Sequence, residues 1–371
     1  MAPRRPRSSA FVLALAYGLL VVYASLYPFG PWRWPPGVDL ASALRLPWPP
    51  WRDPFDVAAN VLGYLPLGAL LCIGWRRSGR GRAAAWLAAV AVPTLLSYGL
   101  EVTQLFVAGR VPSRVDWVLN VAGASAGASL VLLLDVFGLL HRWQATRDRW
   151  FVTDSAGGLA LLALWPAALL WPVPVPLGLG PELGPLRGAL LVLVQDVSWA
   201  EALAVRLEAA GPQAPLPPLA EALIPLLGML APCLLAISLA RPGWRRLLLV
   251  AGALLLGIGM STLSTALAFA PAHALAWATP VVLPAIAAGA LLALPCTWLG
   301  GRAAAALGLM VLGVLVGLVA QAPVDPYYAA NLQQWEQGRF IRFNGLAQWI
   351  GWLWPLGAMA WLLTRLTQRG D

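Results

Sequence analysis

The sequence contains no lysine; all 25 of its basic residues are arginine. Charged residues of both signs make up only 11% of the 371 residues, against about 25% in ordinary soluble domains. That scarcity excludes an ordinary soluble globular protein. Histidine occurs twice, at His141 and His273, far apart and without ligand spacing, so no zinc site is expected. The three cysteines, Cys72, Cys233 and Cys296, lie inside apolar runs and form no C-x-x-C pair, so they read as small buried hydrophobes. Neither a phosphate-binding glycine loop nor a nucleophile motif is present, and no metal or other cofactor is expected. A net charge of +9 would point to nucleic acid in a soluble protein. Here the arginines sit in short loops between apolar runs, with no aromatic–basic patch, so no nucleic-acid partner is expected.

What remains is apolar. Hydrophobic residues make up 60% of the chain. Runs long enough to cross a bilayer as a helix, about 20 residues, recur from end to end. They are continuous and rich in Leu and Ala, without the alternation of barrel strands. The expected fold class is therefore all-α, a polytopic integral membrane protein with about ten transmembrane helices. The expected spans are 10–28, 57–74, 83–107, 117–140, 155–173, 219–239, 247–270, 274–299, 303–320 and 346–364. Arg4, Arg5 and Arg7 precede the first, which reads as an uncleaved span rather than a signal peptide.

The arginines orient the spans. With the N-terminus inside, the inner segments hold Arg4, Arg5, Arg7, Arg76, Arg77, Arg80, Arg82, Arg142, Arg147, Arg149, Arg241, Arg245, Arg246, Arg302, Arg365 and Arg369, sixteen of the 25. The longer outer segments hold the rest, and twelve of the sixteen acids. This bias predicts both termini on the cytoplasmic side of a bacterial inner membrane. Residues 1–145 form a four-helix domain, and residues 150–371 a second domain of about six spans. Within the latter, 188–210 carries too many charges for a span and reads as an amphipathic helix on the outer surface. Its flanks, 172–187 and 211–218, are Pro- and Gly-rich and read as loops. Trp32, Trp34, Trp48 and Trp51 suit an interfacial aromatic belt.

One pattern occurs twice. Residues 56–63 and 116–123 both read D-x-x-x-N-V-x-G. On a helix, Asp56, Asn60 and Gly63 share one face, as do Asp116, Asn120, Gly123 and Gly127. Each copy opens a span entering from outside, so the first four spans read as a parallel internal repeat. Glu101 and Gln104 share a face at the outer end of the third span. All six polar side chains lie at one level. Ionisable groups there suggest function: Asp56, Glu101 and Asp116 are candidate acid/base groups, and Asn60, Gln104 and Asn120 candidate binding groups. Arg110 and Arg114, with the N-terminus of the following helix, would hold a phosphate. The alternative is structural. Asp53-Pro54-Phe55-Asp56 and Ser113-Arg114-Val115-Asp116 look like capping boxes, and the amides would then join helices.

Together, Tyr23-Ala-Ser-Leu-Tyr27-Pro28-Phe29, Asp56-x-x-x-Asn60 with Tyr64-Leu-Pro66-Leu-Gly68, Ser97-x-x-x-Glu101-x-x-Gln104 and Arg110-x-x-Ser113-x-x-Asp116-x-x-x-Asn120-x-x-Gly123 resemble the VanZ-like family over about residues 10–140. The resemblance implies a cell-envelope membrane protein, linked by the family's name to low-level teicoplanin resistance. It implies no reaction. Three functions fit the residues: binding or processing of a lipid-linked, phosphate-bearing envelope molecule at the outer leaflet, transport or flipping, and a structural or regulatory role. Membrane lipids are the expected partners; the oligomeric state is open. The polar, aromatic loop 325–345 would line a second headgroup or sugar site, or simply anchor the chain at the interface.

Overall fold

The computed structural model describes residues 9–27, 29–34, 37, 39, 41, 44–48, 54–107, 110–153, 155–181, 184–194, 197–209, 216–323, 327–328, 331–332 and 341–367. Among these the structure is helical, with two isolated β-bridges, Trp32 with Val107 and Phe151 with Ala240. The chain divides into two units, Met1–Thr146 and Arg147–Asp371.

The first unit contains α1 (Ser9–Leu26), α2 (Pro54–Arg77), α3 (Arg82–Gln104), α4 (Arg114–Val136) and the start of α5 (Leu139–Trp150). Its closest contact joins the two repeat helices. Glycine lets their backbones touch. A Cβ added at Gly123 would collide with the Val61 carbonyl, one at Gly127 with the Leu65 carbonyl, and one at Gly68 with the Ala124 carbonyl. The pairs Val61–Gly123 and Leu65–Gly127 advance together, so α2 and α4 run in the same direction. Gly63, the counterpart of Gly123, has nothing within 4 Å of its added Cβ. The copies are alike in sequence and unlike in surroundings.

Ala85 and Ala89 of α3 complete a core with Tyr64, Leu67, Leu71, Ala124, Ala128 and Val131. α1 lies on α2 through Phe11, edge-on to Trp75 at 5.0 Å between ring centroids. Tyr17 donates from its hydroxyl to the Gly63 carbonyl at 2.9 Å. At the end of the unit where α2 turns into α3, Arg76 and Arg82 both reach Asp135 of α4, at 2.8 and 3.4 Å.

The second unit holds α6 (Ala156–Ala168), α7 (Gly184–Val194), α8 (Glu201–Ala209), α9 (Pro218–Leu239), α10 (Trp244–Phe269), α11 (Val282–Cys296), α12 (Gly301–Val319) and α13 (Ile341–Thr367). α9 is its axis, packed by α6, α10, α11 and α12 and buried continuously from Gly228 to Leu239. A helix apolar all round takes such a central place. Arg246 is 2% exposed and has no acid beside it. Its guanidinium donates to the carbonyls of Ala240, Thr297 and Leu299, at 3.0, 2.8 and 2.6 Å at closest, tying the ends of α9 and α11 together.

A helix lies in each of the ten expected spans. Six are long and apolar enough to cross a membrane, α2, α3, α4, α9, α10 and α12. Leu13–Leu26, Ala156–Ala168 and Val282–Cys296 are shorter apolar helices. Three details differ from the expectations. α6 stops at Ala168 rather than near 173, because Pro172, Pro174 and Pro176 follow and proline cannot extend a helix. The Pro/Gly stretch after it is a loop, as expected, but a buried one. Val175, Leu177 and Leu179 are almost fully buried, and Gly228 of α9 makes room for the Leu177 carbonyl. Non-helical backbone inside a bundle must find partners; Tyr327 N–H donates to the Pro174 carbonyl and Ser264 Oγ to the Leu170 carbonyl. The stretch 188–210 is two helices, α7 and α8, instead of one. Val197 is extended between them (φ −108°, ψ 106°) and Ser198–Ala200 form a tight turn. Most of the loop 325–345, including Glu336 and Arg339, lies outside the described residues.

Candidate functional site

The polar residues singled out in the sequence gather at the end of the first unit where α3 stops and α4 starts. Ser113 caps α4, its hydroxyl accepting from Asp116 N–H at 3.2 Å. In a capping box the third residue's carboxylate accepts from the cap's own N–H. Here the box is left open. Ser113 N–H donates to Glu101 Oε2 at 2.8 Å instead, which frees the Asp116 carboxylate from that role. Glu101 is 5% exposed, and Ser113 is its one hydrogen-bond partner among the described residues.

One turn inward from Glu101 lies Ser97, fully buried. Its Oγ accepts from Asn120 Nδ2 at 2.9 Å and contacts the Tyr64 hydroxyl. A polar bridge thus joins α2, α3 and α4. Asn120 is 4% exposed and its Oδ1 has no donor.

The i, i+4 rule then builds the next level outward. Asp116 stands one turn above Asn120, Glu101 above Ser97 and Asn60 above Tyr64. Since Asn120, Ser97 and Tyr64 meet, the three groups above them face one another. The electrostatics agree: Asp116 repels Glu101, and Asp56 repels Asp116. Asp56 is exposed and Asn60 half-buried, and neither side chain has a hydrogen-bond partner among the described residues. The structure therefore brings together Asp56, Asn60, Glu101, Asp116 and Asn120 as an acceptor-rich recess.

Gln104 and Arg110 point elsewhere. Gln104 Nε2 donates to the Ser25 carbonyl at 3.0 Å. Arg110 donates to the carbonyls of Tyr27 and Ala24, at 2.6 and 3.1 Å, and so caps the last turn of α1. It attracts Glu101 only at longer range. The expected phosphate cradle at the α4 N-terminus is already filled. Arg114 N–H donates to the Pro47 carbonyl, Asp116 N–H to Ser113 Oγ and Trp117 N–H to the Ser113 carbonyl. Nor does Asp116 orient an arginine, because the ion pairs among the described residues all involve Asp135. The Arg114 side chain, exposed in the first turn of α4, is what remains for a phosphate. Ser113, read as a cap, also ties down Glu101; Ser97 and Tyr64 join the site as residues whose roles the sequence left unassigned. Their spacing was the available signal, since Ser97 precedes Glu101 by one turn and Tyr64 follows Asn60 by one turn.

Among the described residues no group of three or more His, Cys, Asp and Glu is arranged to hold a metal ion. In the second unit, Ser261, Ser264, Thr265, Trp277 and Tyr328 line a shallow recess beside the buried Pro/Gly segment. Its polar groups bond to the protein itself: Ser264 Oγ donates to the Leu170 carbonyl, Thr265 Oγ1 to the Ser261 carbonyl and Trp277 Nε1 to Thr262 Oγ1.

Long apolar helices with polar groups set into their ends define a polytopic helical membrane protein. Residues 12–135, the N-terminal third, match the model of the VanZ/LLP1 family. The match covers the first four helices and every residue of the recess. No curated protein and no solved structure matches the chain.

Proposed function

We propose that this is a VanZ-type protein of the bacterial cell membrane whose N-terminal domain binds the polar headgroup of an envelope lipid from the outer leaflet. The observation that carries this reading is Glu101, a carboxylate buried at the end of an apolar helix and held by one backbone N–H rather than by a cation. Structural glue does not need a charge there; an amide would bridge α3 and α4 as well. Arg114, exposed in the first turn of α4, is the contact for the phosphate that such lipids carry. Binding is favoured over processing, because the recess has acids but no nucleophile beside a base. Holding envelope lipids or precursors in this way is the route by which such a protein would contribute to glycopeptide resistance. The arginine bias favours ten spans with both termini in the cytoplasm, which puts the recess at the outer face.

The test is native mass spectrometry of the purified full chain and of Glu101→Gln. The wild type is expected to carry lipid and the variant, equally folded, to lose it. Equal lipid retention by a folded Glu101→Gln protein would favour the structural role. Lipid movement in proteoliposomes that depends on Glu101 would favour transport.

A further inference from the structure

Resting on that reading, we propose that the part of the headgroup seated in the recess is a protonated primary amine, so that the preferred ligand is an aminoalkyl phosphate headgroup.

The argument starts from charge. Glu101, Asp116 and Asp56 lie close enough to repel one another at the end of a helix bundle with an apolar core. Low dielectric makes such repulsion expensive. The one arginine that attracts Glu101 has its donors on the carbonyls of Ala24 and Tyr27. A cation arriving with the ligand relieves the repulsion; a neutral sugar or glycerol hydroxyl does not.

The second observation is independent of charge. Asn120 is 96% buried by its 4% exposure, and its Oδ1 accepts nothing although it sits one turn below Asp116. Buried acceptors are almost always satisfied. Its amide nitrogen is committed to Ser97, so the oxygen is the half of the side chain left without a partner. The groups gathered here with room for a donor are thus acceptors: the buried Asn120 Oδ1, and Glu101 and Asp116 a turn farther out. An alkylammonium has three N–H donors and no acceptor, which matches that set one for one. A trimethylammonium has the charge without the donors, and a diol has donors without the charge. The phosphate next to the amine then lies toward the start of α4, where the Arg114 side chain is exposed.

The test uses the full-length protein in detergent, with lipid binding read by native mass spectrometry. The probes are phosphatidylethanolamine, phosphatidylglycerol and phosphatidylcholine with identical acyl chains, and free O-phosphoethanolamine as competitor. Losing a charge-assisted hydrogen bond is expected to cost about tenfold in affinity or more, so the amine lipid should lead both others by at least about tenfold. Asp116→Asn and Glu101→Gln should each erase that lead. Competition by free O-phosphoethanolamine supports a site for the headgroup itself; binding of the amine lipid without such competition supports the same preference in a site that also needs the acyl chains. Equal binding of the glycerol and ethanolamine lipids, or stronger binding of the choline lipid, overturns the amine inference and leaves headgroup binding standing. Binding of none of the three overturns both.

Discussion

Glu101 Oε2 accepts the backbone N–H of Ser113 at 2.8 Å, across the turn that joins α3 to α4. The bond does two things at once. It fixes the start of α4, and it holds a carboxylate inside the bundle end with its second oxygen and its charge available.

Replacing Glu101 should therefore separate the two roles. Glu101→Gln keeps an acceptor for Ser113 N–H and is expected to unfold within about 1 kcal/mol of wild type. Glu101→Ala strands a buried N–H and is expected to lose about 1–3 kcal/mol. Thermal unfolding in detergent, followed by circular dichroism, compares them; equal losses would mean that the charge itself stabilises the fold.

The repeat makes a paired prediction. Gly127→Ala drives a methyl group into the Leu65 carbonyl and should destabilise the first unit by about 1–3 kcal/mol. Gly63→Ala meets open space and should be neutral or gain up to about 1 kcal/mol from helix propensity. The same unfolding measurement checks both, and equal effects would contradict the parallel α2–α4 contact.

Arg246 should behave as a fold-holding cation. Arg246→Met leaves the carbonyls of Ala240, Thr297 and Leu299 without their donor, at a cost of roughly 3 kcal/mol. Arg246→Lys is expected to recover only part of this, since an ammonium lacks the fork that reaches three carbonyls. Unfolding of the second unit, read by protease resistance in detergent, gives the order wild type, Lys, Met.

Tyr328 supplies a pH signature. Burial pushes its phenol up from 10.0 to about 12, with the Thr265 hydroxyl opposing part of the rise. The folded state therefore holds this proton longer than the unfolded state does. Its contribution to stability is complete below pH 10 and is lost as pH rises from about 10 through about 12. Phenolate absorbance of wild type minus Tyr328→Phe should show one tyrosine ionising near the upper value. A difference curve centred near 10 would place Tyr328 in water.

Much of the first unit was legible along the chain. Ser113 reads as a cap because serine followed by an apolar run starts helices, and it caps α4. Gly123 and Gly127 read as a close-approach face because they fall at helical spacing, and α2 lies on them. The site was legible only as a list. Nothing in the spacing of Arg110 says that it will turn to Ala24 and Tyr27, because those carbonyls are more than eighty residues away in sequence. The Pro/Gly stretch after α6 hides its burial for the same reason. Its composition reports a break in the helices, and not that Gly228 opens a place for Leu177 in the core.

By itself the sequence determined the class of protein, the helices, and the level at which Asp56, Asn60, Glu101, Asp116 and Asn120 would meet, since each follows from local apolarity and a 3.6-residue period. The tertiary structure alone decided which of two identical patterns is buried. Asp116, Asn120 and Gly123 face α2 and α3, while Gly63 faces open space and Asn60 only half-closes. Burial depends on what stands opposite, and a repeat carries no information about its neighbours.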